Sequence, residues 1–86
     1  MKTRRFEFSS GSSNKFWEID LDTAIANYGK IGTLGQTHQY SLDDVQRKIS
    51  EKLSKGYREV KANHKDFLER AEKTAPNFMA ELRAIK

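Results

Sequence analysis

The sequence predicts an α+β domain in which a four-stranded antiparallel sheet carries one amphipathic helix across it, followed by a helical C-terminal extension. Three observations carry that expectation. Before residue 41, apolar and polar residues alternate with period two in several short runs, the pattern of half-buried strands. At Ser41 the period changes to that of a helix. Between strand-like runs lies Tyr28-Gly29-Lys30-Ile31-Gly32-Thr33-Leu34-Gly35-Gln36, where three glycines fall within seven residues. That spacing calls for a tight reversal, with Gly29 kinking a strand end and Gly32 and Gly35 bracketing a hairpin loop.

Taken in order, residues 2–9 set Arg4, Phe6 and Phe8 against Arg5, Glu7 and Ser9 and predict the first strand. Ser9-Ser10-Gly11-Ser12-Ser13-Asn14 is a polar turn too short to link domains. Phe16 to Leu21 is the strongest strand, with Trp17, Ile19 and Leu21 on one face and Phe16, Glu18 and Asp20 on the other; Trp17 is expected in the core. Asp20 and Asp22 read as solvated turn residues leading into a third strand over 23–28, and Gln36 to Tyr40 supplies the fourth.

The helix begins at Ser41, which with Asp44 three residues on forms a capping signal, and Tyr40 is placed to staple onto Val45. Leu42, Val45, Ile49 and Leu53 are expected to form its buried stripe, and Gly56 to end it in a left-handed conformation. Residues 57–60 return briefly to extended structure. Asn63 with Asp66 predicts a second helix carrying Phe67, Leu68 and Ala71 that stops before Pro76. Residues 1–60 thus form the expected domain and 61–86 the extension, whose last stripe is Phe78, Met79, Leu82 and Ile85. That stripe either folds back or meets a protein partner or further chain.

Composition bounds the function. Eighty-six residues allow one domain with a modest core. The absence of cysteine removes disulfide and thiolate chemistry and fits a reducing compartment. Basic Met1-Lys2-Thr3-Arg4-Arg5 is followed by Phe6-Glu7-Phe8-Ser9 instead of a secretory apolar stretch, and no apolar run is long enough for a membrane span. A cytoplasmic location is therefore expected. The net charge of +4 is spread along the chain without a polybasic block, so a nucleic-acid site depends on the fold gathering it.

The residues favour binding over catalysis. His38 and His64 stand at no ligand spacing to each other, so neither a metal nor a cofactor is expected. Ser9 to Ser13 lack the strand-turn-helix setting of a nucleophile, and the glycines match no phosphate-loop spacing. Tyr28 and Lys30, one residue apart at a strand end, project to one side of a regular strand. A ring beside an ammonium suits a nucleic-acid end, the ring stacking on a base or sugar and the cation meeting phosphate.

Tyr28 to Gln36 also resembles the signature of the WGR domain, a Trp-Gly-Arg triplet followed by an aliphatic residue, Gly, two variable residues, Gly and Gln. Phe16-Trp17-Glu18-Ile19 looks like the strand before that signature, and Lys52-Leu53-Ser54-Lys55-Gly56-Tyr57 like the end of the helix after it. Tyr28 stands where the family has Trp and Lys30 where it has Arg. The resemblance implies a non-catalytic module. In DNA-dependent poly(ADP-ribose) polymerases the family's Trp packs against a terminal nucleotide and its Arg relays contact to neighbouring domains; bacterial members include molybdate-metabolism-regulator-like proteins. Carried over, Tyr28 stacks and Lys30 supplies charge without arginine's planar fork. The candidate nucleic-acid-binding set is Tyr28, Lys30, Gln36, Lys52, Lys55 and Tyr57, with DNA ends as the expected ligand. The alternative is a protein-interaction module of a bacterial regulator, docking through Phe78, Met79, Leu82 and Ile85.

Overall fold

The computed structural model describes residues 3–78. In chain order they form β1 (Thr3–Ser10), β2 (Ser13–Asp20), β3 (Ile25–Lys30), β4 (Gln36–Gln39), a 3-10 turn (Leu42–Asp44), α1 (Val45–Ser54), β5 (Arg58–Val60), α2 (His64–Thr74) and a second 3-10 turn (Pro76–Phe78). The sheet has five strands in the order β4-β3-β2-β1-β5, and every neighbouring pair is antiparallel. The expected four-stranded meander is present, but the extended residues after Gly56 add a fifth strand on its far edge. Arg4 fastens that strand through two charge-assisted hydrogen bonds to the Glu59 carboxylate, at 2.8 and 2.6 Å. Three residues are too few to display any periodicity.

Both expected helices are present, and the one placed in the C-terminal extension packs on the sheet as well, so that each face carries a helix. On the first face Phe6, Trp17, Ile19 and Ala26 are buried beneath Val45 and Ile49 of α1. Ser41 caps the approach, its hydroxyl accepting from the Asp43 amide at 3.2 Å, and Tyr40 packs against this cluster. The predicted stripe is only half right: Leu42 and Leu53 are 61% and 48% exposed. Leu42 falls in the 3-10 turn, whose three-residue repeat takes it out of phase. At 3.6 residues per turn, Lys52, seven positions after Val45 and three after Ile49, lies nearer the middle of the stripe than Leu53. The Lys52 ammonium accordingly sits over the Trp17 ring, 5.6 Å from its centroid.

On the second face α2 buries Phe67 and Ala71 against Ile25, with Leu68 and Phe78 packed alongside. Asn63 caps α2 as expected, accepting from the Asp66 amide at 3.1 Å, and the helix stops at Thr74, before Pro76. Phe78 folds back onto this cluster; Met79, Leu82 and Ile85 lie outside the described residues. With a helix on either side, β2 is buried on both faces from Phe16 to Asp20.

That burial overturns the reading of Asp20 as a solvated turn residue. Asp20 is 2% exposed, and its carboxylate accepts from the Thr23 amide at 3.1 Å and the Thr23 hydroxyl at 2.6 Å, closing the turn between β2 and β3. Glu18 is fully buried and bonded by the guanidiniums of Arg5 and Arg70. A buried carboxylate needs such partners, because an unpaired charge costs several kcal/mol there. Both guanidiniums also lie over the Phe16 ring, at 4.7 and 5.4 Å from its centroid.

Candidate nucleic-acid interface

The glycine-rich loop between β3 and β4 depends on a close backbone approach. A Cβ on Gly35, whose φ is +72°, would lie 2.4 Å from the Tyr28 carbonyl oxygen and 3.0 Å from the Phe16 ring. One on Gly29 would lie 2.9 Å from the Gly35 Cα. The loop therefore folds flat against the end of β3 only with glycine at both positions. Asn27 secures it from below, its amide donating to the carbonyls of Leu34 and Gln36 at 3.2 and 3.1 Å.

This anchoring presents Tyr28 and Lys30 on the α1 face of the sheet, where the register sets Tyr28 opposite Trp17 and Lys30 opposite Lys15. Phe8 stands opposite Lys15 on the next strand and meets the Tyr57 ring with centroids 5.5 Å apart. The helix ends before it reaches this part of the sheet, turning away at Gly56. A cleft of about 500 Å³ remains between the end of α1, the sheet and the tip of the β1–β2 hairpin.

Of the six candidate residues, Tyr28, Lys30, Lys52 and Tyr57 line this cleft. Gln36 opens β4 on the rim, opposite Tyr28, with its side-chain oxygen 3.4 Å from the Tyr28 hydroxyl. Lys55 is exposed at the end of α1, outside the lining. Sequence reading missed Lys15, Asn14 and the adjoining serines of the hairpin tip, which complete the wall. The signal for Lys15 was strand register: it shares the face of Trp17, two residues on.

The electrostatics are lopsided. Among the described residues, Lys15, Lys30 and Lys55 form no ion pair with a carboxylate. Lys52 is partly withdrawn from water, and that desolvation, followed by repulsion from Lys55, Lys48 and Lys15, lowers its pKa from the ordinary 10.5. Its ammonium also lies 5.1 Å from the Tyr57 ring centroid. Burial raises the Tyr57 phenol above its usual value, so this ring is neutral at physiological pH. Like charges directly opposite in a sheet are destabilising, and here the Lys15–Lys30 pair is joined by Lys52 from above. An anion with an aromatic or sugar portion matches this lining.

The histidines stand apart from it. His38 packs edge-on against Tyr40, and the ring nitrogen of His64 lies 2.5 Å from the Thr3 hydroxyl. Among the described residues no group of three or more His, Cys, Asp or Glu is placed to hold a metal ion, and no helix is long and apolar enough to cross a membrane.

Comparison with known proteins matches residues 2–64 to the family model described as the WGR domain. The chain is 38% identical over 65 residues to the uncharacterized protein YfeS of Escherichia coli (strain K12), an alignment spanning 65% of this chain and 27% of YfeS. A crystal structure of a Bacteroides fragilis protein is similar at 40% identity with a TM-score of 0.61, over 69% of this chain and 19% of that one. The chain thus spans about a quarter or less of the length of these relatives.

Proposed function

The chain belongs to the WGR domain family, and from that premise we propose that it is a non-catalytic nucleic-acid-binding module that takes DNA ends at the cleft beneath the end of α1. The observation that carries this reading is the convergence of Lys15, Lys30 and Lys52 on one cleft beside Tyr28 and Tyr57, with no carboxylate among the described residues paired to the two strand lysines. Phosphate relieves the repulsion among those ammonium groups, and each phosphate neutralised releases counterions. A tyrosine ring stacks on any exposed base, so the contact needs an unpaired face such as a strand end offers.

The test is fluorescence anisotropy of the chain with a short duplex bearing an open 5′-phosphorylated end, and with the same duplex closed by a hairpin, each at low and near-physiological salt. Tighter, salt-sensitive binding to the open end is expected. Equal binding to both duplexes would leave only a generic basic surface. Absence of binding at low salt would put protein interaction through Met79, Leu82 and Ile85 in its place.

A further inference from the structure

We propose that the cleft is a complete seat for one phosphorylated nucleoside, so that a free nucleoside monophosphate occupies it with no polymer attached. The inference rests on the nucleic-acid reading above for the chemistry of the cleft, and adds that its footprint is a single nucleotide.

Size is the first argument. About 500 Å³ lies within the ~300–1,000 Å³ range of small-molecule sites, and such a cleft admits one nucleotide, not a duplex. The distribution of cations is the second. Arg4, Arg5, Arg47 and Arg70 are each engaged by carboxylates: Glu59 for Arg4, Glu7 and Glu18 for Arg5, Asp44 and Glu51 for Arg47, and Glu18 for Arg70. A long phosphate track would need those arginines free. Among the described residues, Lys15, Lys30 and Lys52 gather at the cleft, where Lys15 and Lys30 oppose each other across β2 and β3 and Lys52 descends from α1, whereas Arg58 and Lys61 stand apart, each lining a separate and smaller hollow. Three lysines lining one cleft suit a phosphate dianion better than a chain of single charges spaced along a strand.

The remaining lining matches the rest of such a ligand. Tyr28 and Tyr57 supply aromatic surface from different elements. These contacts read no base edge, so the site discriminates the phosphate and tolerates the base.

The experiment is isothermal titration calorimetry of the full chain at low salt with adenosine 5′-monophosphate, adenosine and inorganic phosphate as separate ligands. The expected result is one site for the monophosphate, bound at least about tenfold more tightly than either fragment. Lys15→Gln and Lys30→Gln should each weaken the monophosphate about tenfold and leave adenosine unchanged, with thermal melting verifying that the variants fold. Adenosine binding as well as its monophosphate would overturn the phosphate seat, and inorganic phosphate binding equally well would overturn the aromatic walls. Monophosphate affinity unmoved by both lysine variants would place it elsewhere. Open DNA ends bound with no monophosphate binding would sink this inference and leave the proposed function standing; monophosphate binding without end-selective DNA binding would do the reverse.

Discussion

Arg70 on α2 donates to the side-chain oxygen of Asn27 at 3.1 Å, and through Asn27 the helix is coupled to the carbonyls of Leu34 and Gln36 in the glycine loop. The same guanidinium closes on buried Glu18. Most of α2, including Arg70, lies beyond the residues matched by the family model, 2–64, yet it holds the most characteristic segment within them. Hydrogen bonds to charged groups contribute about 1.5–3 kcal/mol, so Arg70→Ala should lower unfolding free energy by roughly that amount. Arg70→Lys should recover only part, because an ammonium cannot bridge Glu18 and Asn27 as a planar fork does. Urea denaturation measures both, and an unchanged midpoint for Arg70→Ala would show that the network contributes nothing.

Gly35→Ala should be more damaging than its size implies. The added methyl meets the Tyr28 carbonyl and the Phe16 ring in a left-handed backbone, which together should cost about 2–4 kcal/mol. Gly32, also at positive φ but with nothing within 4 Å of a Cβ, serves as the control; its alanine variant should cost about 1 kcal/mol. Equal midpoints for the two variants would contradict the close approach.

Tyr28 both packs against the core cluster and lines the cleft, so an alanine there confounds two losses. Tyr28→Leu keeps apolar bulk and removes the ring. Binding to an open DNA end should weaken by about 1–3 kcal/mol, the worth of one aromatic stack, while the melting temperature shifts little. Unaltered affinity in the folded variant would remove Tyr28 from the interface.

The pH response follows from Lys52. Its folded pKa lies below 10.5 because of desolvation first and neighbouring lysines second, so the charged amine disfavours the folded state, and that penalty disappears as pH rises through the lowered value. A bound phosphate favours the ammonium. Binding should therefore take up a proton in the alkaline window below 10.5, and affinity should begin to fall before ordinary lysines titrate. Lys52→Arg, which stays charged, should delay that fall. Superimposable pH profiles for the two proteins would show that Lys52 does not contact the ligand.

Much of this architecture was legible from local signals. Asn63 announced the start of α2, alternation gave β1 and β2, and the glycine cluster located the loop that shapes the cleft. What escaped were features decided by distant pairing. Asp20 was read as solvated because alternation shows two faces of a strand and not whether a second helix covers the one that carries Phe16, Glu18 and Asp20; Phe16 among them was the hint. Lys15 entered the site only through its register with Lys30. Leu53 was chosen for the buried stripe on hydrophobicity, although the helical repeat favours Lys52, whose ammonium lies over the Trp17 and Tyr57 rings at the cleft.

The loop separates two kinds of position within nine residues. Gly29 and Gly35 face backbone and tolerate no side chain, whereas Lys30 is exposed and Tyr28, half-packed on the core, turns its remaining surface to the cleft. Side chains that line the cleft can thus be exchanged without placing an atom against the backbone of the turn that displays them. Recognition and folding are under separate constraints here, and a lineage of such domains can drift from one ligand to another by changing side chains at 28 and 30 while inheriting an unaltered scaffold.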